Sequence, residues 1–163
     1  MFDDIVEANR RYAEGFSLAG LEARARRGLA VVTCIDSRIE PLAMLGLAPG
    51  DAKIIRNAGG RVSEDAVRSL ILATNLLGVD RICVVQHTRC AMVGTTNEEI
   101  RSRLPDDDGS TSAAWDFLPI GDQEAVLRAD VDRLRMETLL APGTSFAGFV
   151  YDVDTGHVHE VDV

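Results

Sequence analysis

The chain has 163 residues, enough for one domain spanning 1–163 with a proper apolar core. Its 17 basic and 26 acidic residues leave a net charge of −9, which disfavours nucleic acid or an anionic membrane as the main partner. No apolar run approaches the ~20 residues of a membrane span, and the acidic opening Met1-Phe2-Asp3-Asp4 lacks the basic-then-apolar order of a secretory leader. Three cysteines leave one over in any disulfide framework, so the expectation is a cytoplasmic protein with reduced thiols.

In chain order, Phe2, Ile5, Val6, Asn9, Tyr12, Ala13 and Phe16 recur at i, i+3, i+4 spacing and predict a helix with one apolar face. The helix precedes the first strand, so residues 1–27 read as an arm that needs another surface, and 22–27 as a solvated connection. The β-branched run at 29–33 predicts a strand buried on both faces. Pro41 suits the first turn of a short helix over 42–45, closed by Gly46. Pro49-Gly50 is a turn, 52–56 a second strand, and Asn57-Ala58-Gly59-Gly60 a loop whose backbone can approach a ligand closely.

Ser63 is a good N-cap, and Glu64 and Asp65 complement the positive end of the helix that follows. Val67, Leu70, Ile71, Thr74 and Leu77 form its buried stripe, and Gly78 stops it. A third strand spans 81–86. Strand, helix, strand, helix, strand implies right-handed parallel crossovers and an α/β fold with a mainly parallel sheet. Within a few residues of Cys90 a helix is expected to start and to run through 98–104, followed by a polar loop over 105–121 with an anchoring turn at Trp115 and Phe117. A long helix over 122–140, with Leu127, Val131 and Leu134 inward, leads to a fourth strand at 146–152. Asp154-Thr155-Gly156 turns the chain into an antiparallel edge strand at 157–161.

The chemistry concentrates after the first and third strands. Cys34-Ile35-Asp36-Ser37-Arg38 follows one, and His87-Thr88-Arg89-Cys90 closes the other. Carboxyl ends of strands are where open α/β sheets place ligand sites. Singly, Cys34 and Cys90 read as small buried hydrophobes and His87 as a satisfied polar group. Together, two thiolates and an imidazole are three zinc ligands, one short of a closed tetrahedral site, and they disfavour magnesium or calcium. Asp36 is a possible fourth ligand, which shuts the site. Paired instead with Arg38, which favours its charged form, it leaves the position open.

Cys34-x-Asp36-x-Arg38, then Arg56-Asn57-Ala58-Gly59, then His87-x-x-Cys90, in this order and spacing, resembles the β-class carbonic anhydrases, most closely the short prokaryotic members. The resemblance implies a sheet of about five strands in the order 2-1-3-4-5, the last antiparallel, flanked by helices. It implies that the N-terminal arm lies across a partner subunit in a homodimer or homotetramer. It also implies Zn2+ on Cys34, His87 and Cys90, and reversible hydration of carbon dioxide to bicarbonate and a proton by zinc-bound hydroxide, with Asp36 and Arg38 catalytic. Gly59 and Gly60 either wall the substrate pocket or serve turn geometry alone. Two departures from the family pattern stand out: Ala91 replaces a common Gly and could narrow the pocket, and Arg89 adds positive charge near the metal. Arg56 receives no catalytic role, Cys83 reads as an inert core thiol, and His157 and His159 as surface residues. Two rivals share these residues: a hydrolase of carbon disulfide or carbonyl sulfide, and a non-catalytic zinc-binding regulatory module with Asp36 permanently on the metal.

Overall fold

The computed structural model describes residues 1–105 and 111–163. Five strands form one sheet in the order β2-β1-β3-β4-β5. They are β1 (Leu29–Cys34), β2 (Ala52–Asn57), β3 (Arg81–His87), β4 (Ser145–Tyr151) and β5 (Val158–Val161). The first four run parallel, and β5 pairs antiparallel with β4. This is the expected topology. The helices are α1 (Asp3–Glu14), α2 (Pro41–Met44), α3 (Glu64–Leu76), α4 (Asn97–Arg101) and α5 (Gln123–Met136). None is long and apolar enough to cross a membrane.

Alternation along the strands divides the core between two faces. Val32, Ile82 and Val84 face α3 and α5, where Val67, Leu70, Leu127, Val131 and Leu134 complete the larger cluster. Val31, Cys83 and Val85 face the other way, toward Met44, Leu45, Ile54, Phe149 and Tyr151. Burial of β1 and β3 on both faces is why they read as unbroken apolar runs rather than alternating ones. Gly148 on β4 lets α5 approach: a Cβ there would lie 3.2 Å from Cγ of Leu127. Leu127→Ala is expected to cost about 2–5 kcal/mol and lower Tm by roughly 4–20 °C, because this fully buried site cannot collapse around the cavity. A chemical-denaturation series with matched thermal melts checks it.

The caps behave as their residue types require. Ser63 accepts from the N–H of Ala66 at 3.3 Å, and Asp122 from that of Ala125 at 3.0 Å. Thr96 and Glu99 form a reciprocal capping box on α4.

Some expectations shift. The helix α5 ends at Met136, short of 140, where Glu137 turns extended and its carboxylate accepts the Leu139 N–H at 3.0 Å. Likewise α4 stops at Arg101 instead of reaching 104, with the Ser102 hydroxyl taking the Glu99 carbonyl at 2.8 Å. The connection at 22–27 is not merely solvated: Ala25 is buried and donates to the Leu77 carbonyl, and Arg26 pairs with Asp51. Within the stretch 105–121, residues 106–110 lie outside the described residues. Trp115 stacks on Phe117 but stays 64% exposed, so the indole is no anchor. That role falls to Arg101, which donates to the carbonyls of Ser112 and Trp115, and to Asn97, which donates to Asp116.

The arm carries its apolar face as patterned, and no residue of α1 is buried. Phe2, Ile5, Val6, Tyr12 and Phe16 all remain exposed.

Candidate metal centre

Two adjacent parallel strands deliver the donor atoms. Thr33 is level with Val85 in the β1–β3 register, so the ends carrying Cys34 and His87 leave the sheet side by side. The chain reverses direction of winding between them, with β2 on one side of β1 and β3 on the other, which opens a crevice. Beyond His87 the chain makes a tight turn through Thr88 and Arg89 that brings Cys90 back to the crevice. One donor atom from each of Cys34, His87 and Cys90 lies within 4.8 Å of the other two, and all three residues are buried. The two sulfurs are 4.0 Å apart.

The imidazole has one nitrogen to spare. Its Nδ1 is 2.9 Å from the Thr88 carbonyl, which orients the ring as an outer partner does for a metal-binding His. Its Nε2 is buried without a hydrogen-bond partner among the described residues. A buried nitrogen left unpaired costs free energy unless something occupies its lone pair. Two thiols and this nitrogen are a donor set that fits zinc.

One of the two thiols is prepared for ionisation. The Cys34 thiol is pulled down to about 4, first by the Cys90 S–H that donates to it, against the effect of burial, and further by His87 and the N–H groups of Asp36 and Gly59. Cys90 is pushed up, first because it keeps the shared proton and then by burial. Cys83 sits mid-strand, apart from the cluster, and burial pushes its thiol up to about 12. It is the inert thiol expected of a core position.

Asp36 faces the same point. Its Oδ2 lies 3.9 Å from His87 Nε2. Arg38 holds it in a two-pronged pair, Nε to Oδ1 at 2.9 Å and Nη2 to Oδ2 at 2.7 Å, and the Arg38 N–H adds a third bond to Oδ1 at 2.9 Å. These bonds, the side-chain ones first, hold the Asp36 carboxyl well below the usual carboxylate range. Oδ1 thus accepts two bonds and Oδ2 one, so Oδ2 keeps a free lone pair.

Gly59 and Gly60 lie beneath this crevice, both buried and both with positive φ, of 78° and 63°. A Cβ on Gly60 would stand 3.1 Å from the Cys34 nitrogen, the Thr33 carbonyl carbon and the Val85 oxygen. All are backbone atoms of the two ligand-bearing strands and cannot swing aside. Gly60→Ala is therefore expected to cost more than the roughly 1–2 kcal/mol of a left-handed alanine and to lower the metal content of purified protein. A denaturant midpoint and a metal assay on the same sample measure both. A Cβ on Gly59 would meet side chains instead, Ile120 Cδ1 at 3.1 Å and Met92 Cγ at 3.4 Å.

Ala91 is exposed to solvent beside the ligand turn. One residue differs from its sequence reading. The Arg89 guanidinium does not add free charge at the centre, because it turns away and pairs with Asp154 at 2.6 Å. Sequence reasoning also missed Arg56, which donates to the Cys34 carbonyl at 2.9 Å and the Asp36 carbonyl at 2.7 Å and so clamps the loop between them. Gln123 was missed too; its Nε2 donates to the His87 carbonyl at 2.9 Å. None of these bonds has a local signal, since each crosses twenty residues or more. His157 and His159 lie near one another on the edge strand, ring centroids 6.3 Å apart.

Known proteins resemble this chain along most of its length. The sequence profile of the carbonic anhydrase family matches residues 29–114. Over 159 residues the chain is 34% identical to β-carbonic anhydrase 1 of Mycobacterium tuberculosis, covering 98% of this chain and 96% of that protein. It is 29% identical over 179 residues to the carbon disulfide hydrolase of an Acidianus species, covering 95% of this chain and 88% of that protein. Among solved structures, carbonic anhydrase from Streptococcus mutans matches with a TM-score of 0.91 and 40% identity, covering 99% of this chain and 97% of that one. The ordered motifs, the sheet they end on and these relatives agree: the chain belongs to the β-class carbonic anhydrase family.

Proposed function

We propose that this chain catalyses the zinc-dependent, reversible hydration of carbon dioxide to bicarbonate and a proton. The observation that carries the reading is the convergence of the Cys34, His87 and Cys90 donor atoms within 4.8 Å, beside an Asp36 whose two oxygens are both bonded to Arg38. Three protein ligands leave a fourth position free, as catalytic rather than structural zinc sites do. Zinc bound there supplies Lewis acidity, drawing the pKa of a coordinated water toward neutrality.

The chain's own residues do the rest. Cys34, His87 and Cys90 hold the ion, and Thr88 fixes the imidazole that presents Nε2. Asp36, kept ionised by Arg38, acts only as an acceptor. It takes the hydrogen bond of the attacking oxygen and thereby aims that oxygen's lone pair at the carbon of the substrate. Arg38 keeps Asp36 in this place and off the metal position, which argues against a permanently shut regulatory site. Gly59 and Gly60 form part of the pocket wall, where a side chain would collide with the strand backbones or with Ile120 and Met92. The proton released passes to buffer.

Residues 1–163 act as one domain, with 1–27 as an arm. The uncovered apolar face of α1 supports its packing on a second copy, in a homodimer or a dimer of dimers.

A second reading, hydrolysis of carbon disulfide or carbonyl sulfide at the same centre, is favoured by the similarity to carbon disulfide hydrolases. Stopped-flow pH-indicator assays on carbon dioxide, beside headspace assays on the two sulfur gases, separate them. Turnover of carbon dioxide alone is expected. Turnover confined to a sulfur gas would replace the first reading with the second, and zinc-loaded protein inert to all three would remove both.

A further inference from the structure

Arg89 stands between two of the proposed ligands, His87 and Cys90, with φ of 53°, a region that residues bearing a side chain rarely adopt. Such a conformation persists only where its surroundings hold it. Here the surroundings are the turn between β4 and β5. The Thr88 N–H donates to the Tyr151 carbonyl at 2.9 Å, the Thr88 hydroxyl accepts from the Val153 N–H at 3.1 Å, and Arg89 Nη2 meets Asp154 Oδ1 at 2.6 Å. Asp152 anchors that turn in its own right, accepting the Asp154 N–H at 2.8 Å.

The left-handed twist also aims a backbone group. The Arg89 carbonyl accepts from Arg38 Nη2 at 3.2 Å, the same nitrogen that donates to Asp36 Oδ2 at 2.7 Å. Arg38 is thus shared between Asp36 and the ligand turn. A second carboxylate is held beside the same turn, since Asp154 Oδ1 lies 2.6 Å from Arg89 Nη2. With its guanidinium on Asp154, Arg89 neutralises a carboxylate of that turn, while Asp152 is spent on the backbone of the turn itself.

We infer that Arg89 is a positioning residue: by pairing with Asp154 and presenting its carbonyl to Arg38, it keeps Arg38 on Asp36 and so keeps Asp36 from closing the metal position. The inference rests on the zinc-centred reading of the site. Its particular content is that Asp154, released from Arg89, competes with Asp36 for Arg38.

The test uses Arg89→Gly, in which glycine keeps the positive φ at no steric cost while the guanidinium is lost. In zinc-loaded protein kcat for carbon dioxide is expected to fall about five-fold, the scale on which an exposed ion pair acts, with zinc content unchanged. X-ray absorption at the zinc edge is expected to report a carboxylate oxygen in a larger share of the sites. Adding Asp154→Asn to this variant removes the competitor, and kcat and the absorption spectrum are expected to return most of the way to wild type. Wild-type kcat and an unaltered spectrum in Arg89→Gly would overturn the inference. A double variant as impaired as the single one, or more so, would overturn it as well. Wild-type protein that holds zinc but turns over none of the gases fails earlier, at the proposed function, and the absorption spectra of the variants still decide whether Arg89 governs the position of Asp36.

Discussion

Cys90→Ser protein, purified without chelator, is expected to hold little or no zinc and to lose turnover with it. Serine preserves the shape of the side chain but replaces a soft sulfur by a hydroxyl that stays protonated near neutrality and suits zinc poorly. Altering a group that merely orients a ligand costs about 10- to 100-fold in affinity, so removing a ligand is expected to cost more than about 100-fold. Metal content by atomic emission, and turnover before and after dialysis against zinc, measure both effects. Cys83→Ser serves as the contrast. That thiol lies mid-strand and away from the cluster, so the variant is expected to keep its zinc. Full zinc occupancy in Cys90→Ser would remove this residue from the ligand set.

Asp36→Asn has the second-largest expected effect, and it separates metal binding from chemistry. The amide is nearly isosteric with the carboxylate, so zinc content is expected to match wild type. An amide nitrogen donates where a carboxylate oxygen accepts, and Arg38 can bond only the remaining oxygen. The attacking oxygen is then no longer aimed, and kcat is expected to fall about 100-fold or more, within the range for loss of a positioned acid–base partner. Wild-type kcat in zinc-loaded Asp36→Asn would take Asp36 out of the mechanism.

The same substitution has a pH signature in stability. The folded carboxyl lies well below its unfolded value, so its pair with Arg38 contributes fully above the unfolded pKa of about 3.9. That contribution is lost as pH falls from there through the folded value. Wild type is expected to be more stable than Asp36→Asn near neutrality, and the gap to narrow on acidification below about pH 4. Denaturation midpoints taken from pH 7 downward test the sign.

Much of the site was legible before any coordinates, for a definite reason. Metal ligation needs particular atoms, and only a few residue types carry them, so Cys34, His87 and Cys90 announce themselves by type and by their place at the ends of apolar runs. The sheet was legible on similar grounds: strands buried on both faces must be apolar throughout, and Ser63, Gly78 and Asp122 mark helix ends through local hydrogen bonding and backbone freedom. Strand order came from resemblance and not from the chain's own pattern, since periodicity carries no record of which strand lies beside which.

What only the tertiary structure decided depends on groups that carry no label in sequence. Arg56, Arg89 and Gln123 are ordinary polar residues until the fold sets a carbonyl or a carboxylate opposite them. Asp36 turns to Arg38, with its Oδ2 3.9 Å from His87 Nε2, a placement of a few ångströms that no residue type could announce. The exposure of Trp115 and the early end of α5 at Glu137 were likewise contests between neighbours distant in sequence or between competing hydrogen bonds. Residue type dictates which bonds a side chain is able to make. Which of them it makes depends on what the rest of the chain brings within reach.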